Sequence, residues 1–145
     1  AKAWSDEEFK QRLLADSDAV LDELDLAGLE AEHVHVVENT PGNHNVVVCT
    51  LCSCYPRNLL GLPPDWYKSR AYRSRTVREP RRLLAEFGVT LPEGTEVRVH
   101  DSTADMRYIV IPRRPGGTDG LDADSLAELV GRDAMIGTAL ARQPG

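Results

Sequence analysis

Cysteine is scarce in this chain: three in 145 residues, all between positions 49 and 54. An odd number so crowded excludes a secreted, disulfide-stapled framework and points to metal or redox chemistry. Long apolar runs are missing as well. No stretch approaches the roughly 20 residues that cross a bilayer, and Ala1-Lys2-Ala3-Trp4-Ser5 lacks the basic-then-apolar layout of a secretion signal. We expect a soluble, cytoplasmic chain with no membrane association. Nor is there an excess of positive charge: 17 Lys and Arg against 23 Asp and Glu leave a net charge of -6, which argues against nucleic acid as a partner. A helical pattern starts almost at Ala1, so we expect the parent protein to carry a further segment upstream.

What remains is enough for one core. At 145 residues and 41% hydrophobic content, a single domain over residues 1–145 is expected without staples. Ser5 and Glu8 have capping-box spacing, and Phe9, Leu13 and Leu14 share a face, which predicts a helix from Ser5 to about Asp18. A shorter helix is expected over Ala19 to Leu26. His33 to Val37 and Val46 to Val48 read as strands around the turn residues 39–43. Asp65 is expected to cap a short helix at Trp66, and Pro80 to Phe87 reads as a helix stopped by Gly88. Two more strands are expected at Glu96 to His100 and Arg107 to Ile111, joined by a polar turn, and a helix capped by Asp122 through Val130. No regular strand-helix-strand period runs through these segments, so the expected fold class is α+β, with mixed strands and helices layered around the cysteine loop.

The decisive segment is Cys49-Thr50-Leu51-Cys52-Ser53-Cys54. Three thiolates this close must repel or share a cation, and soft sulfur donors suit a metal. Structural zinc wants four closed ligands, and the chain offers only three cysteines, with His44 available as a fourth donor. An iron–sulfur cluster lacks its usual fourth cysteine. A third arrangement uses Cys52, Cys54 and the backbone nitrogens of Ser53 and Cys54 in one plane, with Cys49 below. Deprotonating peptide nitrogens demands a strongly Lewis-acidic trivalent ion, and five donors would leave a sixth position open for chemistry.

This segment, followed by Gly61-Leu62-Pro63-Pro64, Trp66-Tyr67-Lys68, Val77-Arg78-Glu79-Pro80-Arg81, Asp101-Ser102, Arg107-Tyr108, Arg114-Pro115 and Gly117-Thr118, resembles the alpha subunits of nitrile hydratases over nearly the whole chain. The resemblance implies addition of water to a nitrile to give an amide, at a metal held by Cys49, Cys52, Cys54 and the Ser53 and Cys54 nitrogens. It implies that Cys52 becomes sulfinic acid and Cys54 sulfenic acid, these two being the catalytic cysteines. Thr50 matches the cobalt type, hence one cobalt(III) per subunit. Asp101 and Arg107 fall where relatives support the cysteine loop through hydrogen bonds, with an ordinary ion pair as the plain alternative. Asp105 stands where relatives usually carry glutamate. Implied partners are a beta-type subunit that completes the pocket and supplies arginines, and a metallochaperone or activator that inserts cobalt. A thiocyanate hydrolase metal subunit uses a similar loop and is the nearest rival; a non-catalytic zinc module is the other.

Arg57 stands where relatives commonly have tryptophan, three residues past the last ligand, and is expected to border the substrate route. A guanidinium there would favour a polar or larger nitrile, such as a heterocycle or a nucleoside of the toyocamycin kind, over a small aliphatic one. The run Arg70, Arg73, Arg75, Arg78, Arg81, Arg82 is expected to be a solvated or partner-facing helix surface. His33 and His35, spaced like a strand metal pair, are expected to be surface histidines. Trp4, Trp66 and Phe87 are expected to anchor the core or an interface.

Overall fold

The computed structural model describes residues 1–23, 33–49, 60, 64–103 and 106–143. Three short helices open the chain: α1 (Lys2–Ser5), α2 (Glu7–Ala15) and α3 (Ser17–Glu23). The single helix expected from Ser5 to Asp18 is therefore broken twice. Asp6 interrupts it in extended conformation and caps α2 itself, its carboxylate accepting from the Phe9 amide at 3.0 Å. A short acid one residue later outcompetes the Ser5–Glu8 box, because the aspartate oxygen reaches the third amide of the helix directly. Asp16 breaks the helix again in the same manner before α3.

Four strands follow: β1 (His33–Glu38), β2 (Asn43–Val48), β3 (Glu96–Asp101) and β4 (Met106–Ile111). All were legible in sequence, but their pairing was not. β3 and β4, consecutive along the chain, do not form a hairpin; β1 pairs with β4 and β2 with β3, both in parallel. The apolar run Val46-Val47-Val48 explains one half of this. All three are fully buried, as expected for a strand covered on both faces in parallel pairing rather than half-solvated in a hairpin. The mixture of elements in one small domain is α+β, as expected.

Between β2 and β3 the chain forms a 3-10 turn (Asp65–Lys68), α4 (Arg70–Arg78) and α5 (Pro80–Glu86). Asp65 lies inside the turn rather than capping it; the residue before it, Pro64, has no capping side chain. α4 is capped by Ser69, whose hydroxyl accepts from the Tyr72 amide at 3.1 Å. α5 starts with Pro80 and stops before Gly88, whose φ of 92° suits glycine. After β4 come α6 (Ala123–Ala127), capped by Asp122, and a 3-10 turn (Asp133–Ile136).

The core is divided into clusters. Phe9, Leu13, Val20 and Leu21 of the first helices pack on Val34, Val36 and Ile111. On the other side Val47, Val48, Tyr67, Tyr72, Leu83, Val110 and Ile136 cluster, extended by Trp66. Trp66 stacks against Tyr72 and Phe87 with ring centroids 4.9 and 4.7 Å apart, and Trp4 donates its indole N–H to the Pro112 carbonyl at 2.8 Å. Both tryptophans are anchors, as their type suggests. Among the described residues no helix is long and apolar enough to cross a membrane.

Candidate metal centre

The cysteine segment begins where two parallel strands end together. Register pairs Val48 with Asp101, and the Ser102 amide donates to the Val48 carbonyl at 2.7 Å. That bond holds Ser102 at the peptide link from Val48 to Cys49. Cys49 is fully buried and Ser102 nearly so, at 0% and 1% exposure. Cys49, Asp101 and Ser102 are thus brought to one edge by the parallel pairing, although 52 residues separate Cys49 from Asp101 in sequence. Arg107, partly buried as the second residue of β4, belongs to the other strand pair, opposite Val34. Thr50, Cys52, Ser53, Cys54, Arg57 and Asp105 lie outside the described residues.

The strand that delivers Cys49 is clamped from its other side. Val48 directs its carbonyl to β3, so alternation along a parallel ladder turns the Val47 carbonyl away from β3. The Tyr72 hydroxyl of α4 takes it, donating at 2.6 Å in the buried interior. Tyr72 itself is fixed by packing on Trp66 and Tyr67. The last two carbonyls before Cys49 are therefore both held, one by backbone and one by a helix side chain. No local signal could have assigned Tyr72 this partner, because the contact spans 25 positions.

His44 is not a fourth ligand for the thiolates. It is the second residue of β2, five residues before Cys49 and about 16 Å away along an extended strand, and both its nitrogens are engaged. Nε2 lies 2.7 Å from the Gly137 carbonyl, which can only accept, so Nε2 carries the proton. Nδ1 then accepts from the Asn39 amide at 3.3 Å. The Asn39 orientation follows from its Oδ1, which accepts from the Asn45 backbone amide at 2.7 Å. Burial lowers the His44 pKa from its ordinary value near 6.5, outweighing the Gly137 hydrogen bond, which raises it. His44 is a neutral structural group, and the zinc arrangement built on it loses its fourth donor.

The same polar network continues across the sheet. Asn45 Nδ2 donates to the Glu38 carbonyl and to Asn39 Oδ1, leaving Asn45 Oδ1 to accept from His100 Nε2 at 2.7 Å. Burial, and then the neighbouring His35 and Arg98, lower the His100 pKa. His33 and His35 are surface histidines, as expected: His33 pairs with Asp18 at 2.8 Å, and His35 meets the edge of the Tyr108 ring. Much of the arginine run serves the fold. Arg75 bridges Glu79 and Glu86, Arg82 approaches Glu79, and Arg81 donates to the Thr95 carbonyl. Arg70, Ala71, Ser74, Val77 and Arg78 make up the exposed face of α4.

The family model for the nitrile hydratase alpha chain matches residues 1–139. The chain belongs to the nitrile hydratase alpha-chain family. It is 55% identical over 142 residues to the cobalt-containing nitrile hydratase subunit alpha of Pseudonocardia thermophila, covering 97% of this chain and 70% of that one. It is also 46% identical over 156 residues to the thiocyanate hydrolase subunit gamma of Thiobacillus thioparus, covering 100% and 64%. Among solved structures, a double mutant of the Fe-type nitrile hydratase from Comamonas testosteroni Ni1 superposes with a TM-score of 0.93 at 44% identity, over 99% of this chain and 70% of that one.

The residues present fit a metal ion. A fully buried thiol at a strand end, opening a Cys-x-x-Cys-x-Cys segment, is a soft donor placed where water is excluded. Beside it stands the buried Ser102 hydroxyl, which has no hydrogen-bond partner among the described residues.

Proposed function

We propose that this chain is the metal-carrying subunit of a cobalt nitrile hydratase, converting a nitrile to the corresponding amide together with a beta-type subunit. The observation that carries the reading is the buried Cys49 at the shared end of β2 and β3, heading the three-cysteine segment of a chain matched to the family over residues 1–139. Cys49, Cys52 and Cys54, with the backbone nitrogens of Ser53 and Cys54, would hold one cobalt(III). That ion, when bound, supplies Lewis acidity toward the nitrile.

The chain's own residues perform the remaining work. The clamped strand end fixes the backbone that carries Cys49, and the burial of Cys49 keeps water from its sulfur. Cys52 as sulfinate and Cys54 as sulfenate are the proposed catalytic cysteines, and the sulfenate needs polar partners because it is otherwise short-lived. We assign Asp101 and Arg107 to support of the loop by hydrogen bonding, and Arg57 to the substrate route. Addition of one water across the C≡N bond places the oxygen on carbon and both protons on nitrogen, so no redox partner is consumed. An activator protein for cobalt insertion and a cytoplasmic location complete the reading.

A thiocyanate hydrolase metal subunit is the second reading, favoured by the 46% identical relative. One experiment tests both. The chain is produced in cobalt-supplemented cells with its beta-type partner, then analysed for metal, for cysteine oxidation by peptide mass spectrometry, and for turnover of a nitrile and of thiocyanate. Near-stoichiometric cobalt, two oxygens on Cys52, one on Cys54 and amide formation are expected. Zinc with three unmodified thiols would sink the proposal, and thiocyanate turnover alone would select the rival.

A further inference from the structure

Within the cobalt reading, which this step rests on, one residue beside the segment is chemically unexplained. Ser102 is 1% exposed, its amide already holds the Val48 carbonyl at 2.7 Å, and its hydroxyl has no partner among the described residues. A buried hydroxyl without a partner is unusual, because it loses its hydrogen bonds to water and gains nothing in return. Its position is informative. The ladder ends with Val48 opposite Asp101, and the Ser102 amide bonded to the Val48 carbonyl sits at the peptide link from Val48 to Cys49; neighbouring strands run about 4.8 Å apart. A serine hydroxyl is both donor and acceptor; a cysteine that becomes a thiolate ligand gains negative charge and becomes a better acceptor.

We infer that Ser102 is a positioning residue for the metal centre, its hydroxyl donating a hydrogen bond to the Cys49 sulfur once that sulfur is a thiolate ligand. The buried hydroxyl is then a donor available to that sulfur. A hydrogen bond to a ligating thiolate withdraws electron density from sulfur and fixes the direction of its lone pairs, as partners behind metal ligands generally do. Asp101, the exposed neighbour at the end of β3, presents a carboxylate and cannot replace this donor.

The test compares wild type, Ser102→Ala and Ser102→Thr, each assembled with the beta-type subunit and examined with and without cobalt. Without metal, Ser102→Ala should unfold at the same temperature as wild type or higher, since an unpartnered buried hydroxyl has been removed. With cobalt, its thiolate-to-metal absorption should move to lower energy and its retention of cobalt against a chelator should weaken by about tenfold to a hundredfold. Ser102→Thr, which keeps the hydroxyl, should retain the wild-type band. Should the alanine variant fail to assemble, Ser102→Cys carries the comparison as a similarly shaped, weaker donor, with a smaller shift in the same direction expected. Unchanged absorption and cobalt retention in Ser102→Ala, no shift in its Ser102→Cys substitute, or an equal shift in Ser102→Thr overturns the inference. A wild-type assembly that takes up no cobalt removes the parent reading itself, and this one with it.

Discussion

Gly137 shows how much one residue can hold. Its φ is 90°, and a methyl group on it would overlap the Asn45 carbonyl and crowd the Val46 backbone. Its own carbonyl accepts the His44 proton at 2.7 Å. Left-handed backbone, close approach to β2 and an acceptor for a buried imidazole therefore coincide at one position. Gly137→Ala is expected to cost roughly 3 kcal/mol, combining strain at positive φ with overpacking. Urea denaturation checks it: a midpoint within experimental error of wild type would mean that the 3-10 turn shifts off β2 without cost. None of this was legible in the sequence, where Gly137 is one of 11 glycines. The cysteine segment was legible because its chemistry is local, three sulfurs within six residues, whereas the partners of Gly137, His44 and Ser102 are defined only after distant strands pair.

Elements divide along the same line. The four strands and the Pro80 and Asp122 helix starts were readable from apolar runs, prolines and caps, all signals carried within a few residues. Parallel pairing was not readable, since it depends on which strands meet across intervals of more than 50 residues, and it is the pairing that brings Asp101 and Ser102 to Cys49. The continuous burial of Val46, Val47 and Val48 was its one local trace. α4 was glimpsed only as a charged run; its apolar inner face is just Tyr72 and Thr76, too narrow for a periodic signal. Yet α4 clamps β2 through the Tyr72 hydroxyl. Tyr72→Phe keeps the ring packing and strands the buried Val47 carbonyl, so a loss of about 1–3 kcal/mol is expected. The same change should loosen the strand end beneath the metal segment, read as faster hydrogen exchange at Val48 and Cys49 in the assembled protein. Equal exchange would show that β3 alone fixes that end.

At the scale of the whole molecule, the buried histidines tie stability to pH. His44 and His100 both have pKa values lowered from 6.5, in each case first by burial. His44 donates to the Gly137 carbonyl and His100 to Asn45, and it is burial that holds each ring neutral. Unfolding exposes them to water and restores their ordinary affinity for protons. Below about pH 6.5 the unfolded chain therefore binds more protons than the native one, and protons favour unfolding. The stability is fully present above that pH and is lost as pH falls toward the lowered native values. Each histidine adds a slope of up to about 1.4 kcal/mol per pH unit in that window. We expect unfolding free energy measured in urea to be flat from pH 8 to 7 and to fall between pH 6.5 and 5. His44→Gln keeps an amide donor for the Gly137 carbonyl but cannot titrate, so it should be less stable at pH 7.5 and lose less on acidification. A His44→Gln curve running parallel to wild type down to pH 5 would assign the acid sensitivity to other groups and leave His44 without a part in it.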